Sequence, residues 1–315
     1  MELMGQKLLI DTDPGNDDAI ALYVALADPS VDVVGVTTVM GNTTLEHATE
    51  NALALLEHVG RTDVPVVEGA ARPFADDLVT AEEVHGPGGL PEHVREALPD
   101  PTREAADDNA VEFIVEQART HRDDLTIAAL GPQTNLALAL AVEPRIAEWV
   151  DDIYLMGGAL TVTGNVTPMA SFNFYVDAAA ASRVVQEASP KLVGLDVTER
   201  VYVSTAEIER LQARPEPLST IGDILAFSID EVRDKFGNDG GLASDAVLVA
   251  DIVAGLLKYE RAYVEVDTTG GPSNGATIYD EHGVLDQPPN CDGALGIRDG
   301  ASYEEIVVSR LEDLA

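Results

Sequence analysis

A single cysteine, Cys291, leaves no partner for an intramolecular disulfide and too few thiols for a cysteine-built zinc site. Beside Pro288, Pro289 and Asn290, with no base assignable to it, it reads as a structural thiol. Lysine is almost as scarce: Lys7, Lys191, Lys235 and Lys258 are the whole complement, and Lys and Arg together number 19 against 56 acidic residues. The resulting formal net charge of -37 argues against a nucleic-acid partner, because phosphate binding requires a basic patch. No apolar run reaches the ~18 residues that span a bilayer, so no membrane partner is expected. Residues 1–7 lack a basic stretch leading into an apolar core, which argues against a secretory leader.

A cytoplasmic location is expected. The sequons at Asn42 and Asn165 then carry no meaning as glycosylation sites. A surface rich in carboxylate and poor in lysine suits a salt-filled cytoplasm, where self-repulsion is screened over short distances, so the expected source is a halophile. A moderately acidic mesophilic protein is the alternative. Disorder is excluded by the apolar segments that recur along the chain, which is 45% hydrophobic.

Short β-branched runs alternate with longer amphipathic segments, the pattern of βα units feeding a mostly parallel sheet. Strands are expected at residues 7–11, 31–38, 64–68, 125–130, 152–156 and 191–195. Helices are expected at residues 17–27, 45–59, 107–119, 134–141 and 177–187. Further on, helices are expected near 221–234 and 244–254, then a β-rich end around 262–266 and 276–279. Residues 73–101 read as an excursion over the sheet edge and 236–242 as a flexible loop. The fold class is therefore α/β: a mostly parallel, Rossmann-like sheet flanked by helices, with a smaller helical and β-rich C-terminal part, in one domain over 1–315. In such sheets ligands bind at the carboxyl ends of the strands. The polar clusters fall there: Asp11 to Asp18, Gly41-Asn42, Gly131 to Asn135, Gly157-Gly158 and Asp196.

The segment IDTDPGNDDAIAL carries most of the chemistry. Asp11 and Asp13 would share one side of the first strand if it continued through both. Asp17 and Asp18 open a helix, where the dipole and capping alone favour acids. Those effects account for one or two carboxylates. Four within eight residues at a buried strand end would repel one another and destabilise the fold unless a divalent cation neutralised them. Oxygen-only ligands point to Ca²⁺ or Mg²⁺ rather than zinc. The spacing is not that of an EF-hand, which places glycine sixth and glutamate twelfth.

DTDPGNDDA resembles the N-terminal signature of the nucleoside hydrolases, the inosine/uridine-preferring N-ribohydrolase family. TTVMGNTT, LGPQTNLALAL, IYLMGGAL, TGN, SFNFYVDAAAA, VGLDVT and LASDAVLVADIV extend the resemblance, in the family's order, along nearly the whole chain. The resemblance implies a pocket holding one Ca²⁺ ion, with Asp13, Asp18, the carbonyl of Leu130 and Asp245 as its protein ligands. It implies that Asp13 accepts a proton from the attacking water and that Asp17, Asn165 and Asn173 hold ribose hydroxyls. Asn42 would sit near the water and the diol, and Asp11 would support the cluster. The implied activity is hydrolysis of a ribonucleoside to ribose and free base, in a homodimer or homotetramer. Both asparagines that follow glycine, Asn42 and Asn165, also fit simple turns.

Two positions depart from the family pattern. Ser244 precedes Asp245 where a histidine is usual, which removes the usual proton donor to the leaving base. Ser171 precedes Phe172-Asn173 where a glutamate is usual, which removes a carboxylate from the sugar. Both serines remain candidate substrate contacts. His85, in VHGPGG, matches a family histidine at the pocket edge and is a candidate catalytic residue. His282 is a candidate for the pocket mouth, and Tyr175 and Tyr279 either stack on a base or pack. His47, His58, His93 and His121 read as surface residues. Two competing functions remain: a nucleoside-binding protein with impaired catalysis, and an aspartyl phosphatase. The second lacks the Gly-Thr continuation and the lysine that its chemistry needs.

Overall fold

Residues 5–315 are described by a computed structural model; residues 1–4, part of the segment expected to carry no secretory leader, lie outside the described residues. The strands are β1 (Gln6–Thr12), β2 (Val31–Thr38), β3 (Val66–Glu68), β4 (Leu125–Ala129), β5 (Asp152–Met156), β6 (Lys191–Val193), β7 (Val203–Ser204), β8 (Gly240–Gly241), β9 (Leu257–Val266), β10 (Thr277–Asp280) and β11 (Cys291–Ile297). Nine of them form one sheet in the order β10-β9-β11-β6-β5-β4-β1-β2-β3, and β7 pairs with β8 separately. From β11 to β3 every pairing is parallel; β9 runs antiparallel to both β11 and β10.

The chain builds outward in one direction through β1, β2 and β3, then returns to β4 on the other side of β1. The crevice between the carboxyl ends of β1 and β4 is thus the switch point, where an open α/β sheet offers a ligand site. Alternating residues of the central strands feed two cores. Leu8, Ile10, Ala128 and Tyr154 pack on one face, and Leu9, Ile127, Ala129 and Leu155 on the other. Both faces are covered, which is why these strands read as nearly continuous apolar runs.

The differences from the sequence expectation have local causes. β3 begins at Val66 rather than residue 64, since Pro65 has no N–H to give the ladder and only its carbonyl is used, by Val36 N. The helix expected from 107 starts at Ala110, capped by the Asn109 side chain on Val111 N. The helix expected over 221–234 is two, Leu218–Ala226 and Ile229–Phe236. β6 stops at Val193, and a short helix, Leu195–Thr198, follows. The terminal strand β11 and the helix Tyr303–Glu312 were not anticipated. His58 is not a surface residue: its side chain is only 7% exposed, set between the Tyr23 hydroxyl (2.7 Å) and Glu216. No helix among the described residues is long and apolar enough to cross a membrane.

Candidate active site

β1 ends at Thr12, so Asp11 and Asp13 do not lie on one continued strand. Asp11 stays in the sheet, where its Oδ1 accepts from Thr37 Oγ1 (2.5 Å) and Asn135 Nδ2 (2.7 Å). Burial pushes its pKa up to about 6, against the lowering effect of those two donors. Asp13, just beyond the strand, lies in a slot with glycine on two sides. A Cβ on Gly41 would stand 2.0 Å from its Oδ2, and one on Gly131 would stand 2.6 Å from its Oδ1. The Asn42 N–H donates to Asp13 Oδ2 at 2.6 Å.

The helix Asn16–Ala27 opens on Gly15, which has no side chain to cap it. Asp18 reaches back and accepts from the Gly15 N–H at 3.0 Å, from Thr12 Oγ1 at 2.5 Å and from Asn42 Nδ2 at 2.9 Å. Asn42 therefore grips two aspartates at once, through its backbone and its side chain. Asp245 enters on the first turn of the helix Ser244–Ala254. Carboxylate oxygens of Asp17, Asp18 and Asp245 lie within 4.8 Å of one another. Burial first, then the charge of Asp18, raises the pKa of Asp13 well above the usual range. Asp245 is raised likewise by burial, then by Asp17, Asp18 and Asp13. Burial also raises Asp17, which His85 partly offsets.

That arrangement suits a divalent cation. Like charges this close and this buried cannot all ionise without a compensating positive charge. Among the described residues, no lysine or arginine lines the cleft above them, and the buried Asp17 Oδ1 has no hydrogen-bond partner. All the donors are oxygens, the preference of a hard cation. The tightest trio includes Asp17, which the sequence reading gave to the sugar, whereas Asp13 is engaged with Asn42 beside it.

The cleft encloses about 230 Å³, and nine of the candidates line its wall: Asp17, Asn42, His85, Leu130, Asn165, Ser171, Asn173, Ser244 and Asp245; Asp11, Asp13 and Asp18 are buried behind it. Asn173 Nδ2 donates to the carbonyls of Leu130 (2.5 Å) and Met156 (3.1 Å). Ser171 Oγ accepts from Gly158 N (2.7 Å), and Asn165 Oδ1 accepts from Phe172 N (3.0 Å). His85 closes the helix Glu82–His85; its Nδ1 accepts from Asn16 N at 3.3 Å and lies 3.8 Å from Asp17 Oδ1. A second chamber of about 440 Å³ shares Asp17, His85 and Ser244 and continues to Glu199, Phe227, Lys235 and Phe236. A larger groove, about 790 Å³, lies elsewhere, between the helix Leu45–His58 and residues 92–105, and holds none of these residues. His282 sits on an exposed turn, Tyr279 packs against the core, and neither they nor Tyr175 line the cleft.

Sequence reasoning missed several supports. Asn51 lies within an apolar helical run, yet its Nδ2 donates to the carbonyls of Pro14 and Gly88, joining the aspartate turn to the turn after His85. Only an asparagine at a buried helical position could have signalled it. Asn135, inside the GPQTN cluster, clamps Asp11, Thr38 and Ala70 together. Thr12 and Thr37 look like ordinary strand residues and gave no signal.

The chain thus presents an α/β sheet whose switch-point crevice holds clustered carboxylates beneath an asparagine-lined cleft. Residues 8–304 match the family described as inosine-uridine preferring nucleoside hydrolase, and the chain belongs to that family. It is 36% identical over 313 residues to the pyrimidine-specific ribonucleoside hydrolase RihA of Salmonella arizonae, covering 98% of this chain and 99% of that one. The same figures hold for RihA of Escherichia fergusonii. Among solved structures, a plant nucleoside hydrolase, the PpNRh1 enzyme, superposes with a TM-score of 0.88 at 33% identity over 98% of both chains. The purine-preferring ribonucleoside hydrolase of Gardnerella vaginalis gives 0.90 at 29% identity, again over 98% of both. The chain is accordingly an enzyme, a hydrolase acting on N-glycosyl bonds, as its ribonucleoside hydrolase relatives are named.

Proposed function

We propose that the chain hydrolyses ribonucleosides to ribose and free base with one Ca²⁺ ion. Asp13, Asp18, Asp245 and the Leu130 carbonyl would hold the ion. The observation that carries this reading is that the Asp17, Asp18 and Asp245 carboxylates cluster where Asp17 and Asp245 meet Asn42, Asn165 and Asn173 in the wall of one cleft. When bound there, the cation supplies positive charge that anchors a sugar diol and makes a water more acidic.

The chain's own residues do the rest. Asp13 receives the proton of the attacking water on Oδ1, since Oδ2 is already held by the Asn42 N–H. Asn42 also fixes Asp18, so one residue sets the spacing of both carboxylates. Asp17, Asn165 and Asn173 take ribose hydroxyls, with Ser171 and Ser244 completing the wall. The acidic floor stabilises the positive charge that develops on the sugar as its bond to the base breaks. Asp11 supports the cluster through Thr37 and Asn135. With Ser244 where the family commonly has histidine, His85 is the one imidazole among the described residues lining the cleft and serves the departing base.

The named specificity of the RihA relatives favours pyrimidine ribonucleosides in salvage metabolism. A homodimer or homotetramer in a salt-rich cytoplasm fits the net charge of -37, since salt would screen repulsion between copies. The test is a nucleoside panel with Ca²⁺ at high salt, following free base and reducing sugar. Binding without turnover of any nucleoside would replace this reading with a catalytically impaired binding protein. Phosphate release from a sugar phosphate would replace it with a phosphatase.

A further inference from the structure

Asp196 stands apart from the carboxylate cluster, yet its side chain is fully buried. It lies just past β6, where the chain presses against the end of β5: a Cβ on Gly194 would stand 2.4 Å from the Gly158 oxygen. Its two oxygens accept three hydrogen bonds, from Leu160 N (2.7 Å), Thr161 N (2.8 Å) and Thr161 Oγ1 (2.5 Å). All three donors belong to the start of one loop, and no cation pairs with Asp196 among the described salt bridges. A buried carboxylate held only by donors from one loop fixes that loop, because leaving any donor unpaired is costly.

That loop delivers Asn165 to the cleft. Its far end is tied by Asn165 N to the Ala170 carbonyl and by Asn165 Oδ1 to Phe172 N. Leu160 packs on the core, and among the described hydrogen bonds Asp196 accepts the only ones that residues 160–164 give to a side chain outside the loop. Beyond the tether the loop is bare, with Val166 40% and Met169 54% exposed. We propose that Asp196 is a positioning residue, whose grip on Leu160 and Thr161 sets the place of Asn165 in the nucleoside cleft. The proposal rests on reading Asn165 as a ribose contact.

Steady-state kinetics, cation titration and thermal melting of four variants test it. Asp196→Asn exchanges an acceptor for a donor facing two N–H groups; KM for the preferred nucleoside should rise about tenfold, the size of one lost hydrogen bond, with cation affinity unchanged. Thr161→Val removes one donor alone at an exposed position and should raise KM by a smaller factor. It decides the matter if Asp196→Asn does not fold. Asn165→Ala should raise KM at least as much, and adding Asp196→Asn to it should raise KM no further. Asp28→Asn, which breaks a buried carboxylate's contact with Arg310 far from the cleft, should lower Tm and leave KM alone. If Asn165→Ala leaves KM unchanged, the ribose-contact reading fails. If Asn165→Ala raises KM while Asp196→Asn and Thr161→Val do not, or if the double variant is additive, the positioning role is overturned.

Discussion

Replacing Gly41 with alanine probes Asp13 without touching its chemistry. The new methyl carbon would stand 2.0 Å from Asp13 Oδ2 and 2.8 Å from its Cγ. Non-bonded heavy atoms rest near 3.5 Å, so the carboxylate must retreat by about 1.5 Å. The methyl cannot lean away, because Pro132 Cδ lies 2.8 Å from it. Gly131 closes the other side, so the retreat also strains the Asn42 N–H bond at 2.6 Å. Hydrogen bonds to charged groups contribute about 1.5–3 kcal/mol, and a misplacement near 1 Å costs roughly a hundredfold in rate. Gly41→Ala should therefore lower kcat about a hundredfold, with Tm down by several degrees. Single-turnover base release, measured beside a melting curve, reads both effects. A folded variant with kcat within a factor of about two of the parent would show that Asp13 need not be held in this slot, and the proton-acceptor role would fall.

Other perturbations separate the remaining roles. Asp245→Asn removes one charge from the trio of Asp17, Asp18 and Asp245, and calorimetric titration should show Ca²⁺ affinity weakened by at least about tenfold; unchanged affinity would remove Asp245 from the ligand set. His85→Ala should slow nucleosides by about a hundredfold or more but spare a nitrophenyl riboside, whose leaving group needs no proton; equal losses on both would mean that His85 only shapes the pocket. His58 bears on stability. Its pKa lies below the ordinary 6.5 because burial disfavours its charged form, with Glu216 opposing. As pH falls below 6.5 the unfolded chain takes the proton first, so the stabilisation is whole above that value and declines towards the lower folded pKa. His58→Gln should flatten the Tm profile between about pH 7 and 5, and a profile as steep as the parent's would assign the dependence to other groups.

The parts of this fold that sequence exposes are those governed by local pattern. The apolar runs of β1, β2, β4 and β5 are buried on both faces, so they stand out as strands wherever turn residues end them. The polar residues after those strands could be placed at one sheet edge for the same reason. What pattern does not carry is the pairing order, which sets β4 beside β1 and turns two separate polar clusters into one crevice. Buried polar supports were also hidden. His58 is a helical histidine like any other until the Tyr23 and Glu216 side chains are brought to it. Asp196 was visible only as a polar residue at a strand end, because its donors lie 35 and 36 positions away. The division of labour within the aspartates came from the family resemblance, and the geometry adds the two-handed grip of Asn42.

The central claim is that the carboxylate cluster must hold a divalent cation for a ribonucleoside to be cleaved. Protein stripped with a chelator, then assayed for uridine hydrolysis at high salt with and without added Ca²⁺, tests it directly. The account predicts that turnover is lost on stripping and restored by stoichiometric Ca²⁺, with restoration abolished in Asp13→Ala while the fold is retained. Undiminished hydrolysis by the stripped protein, or near-parental activity of Asp13→Ala, would contradict it.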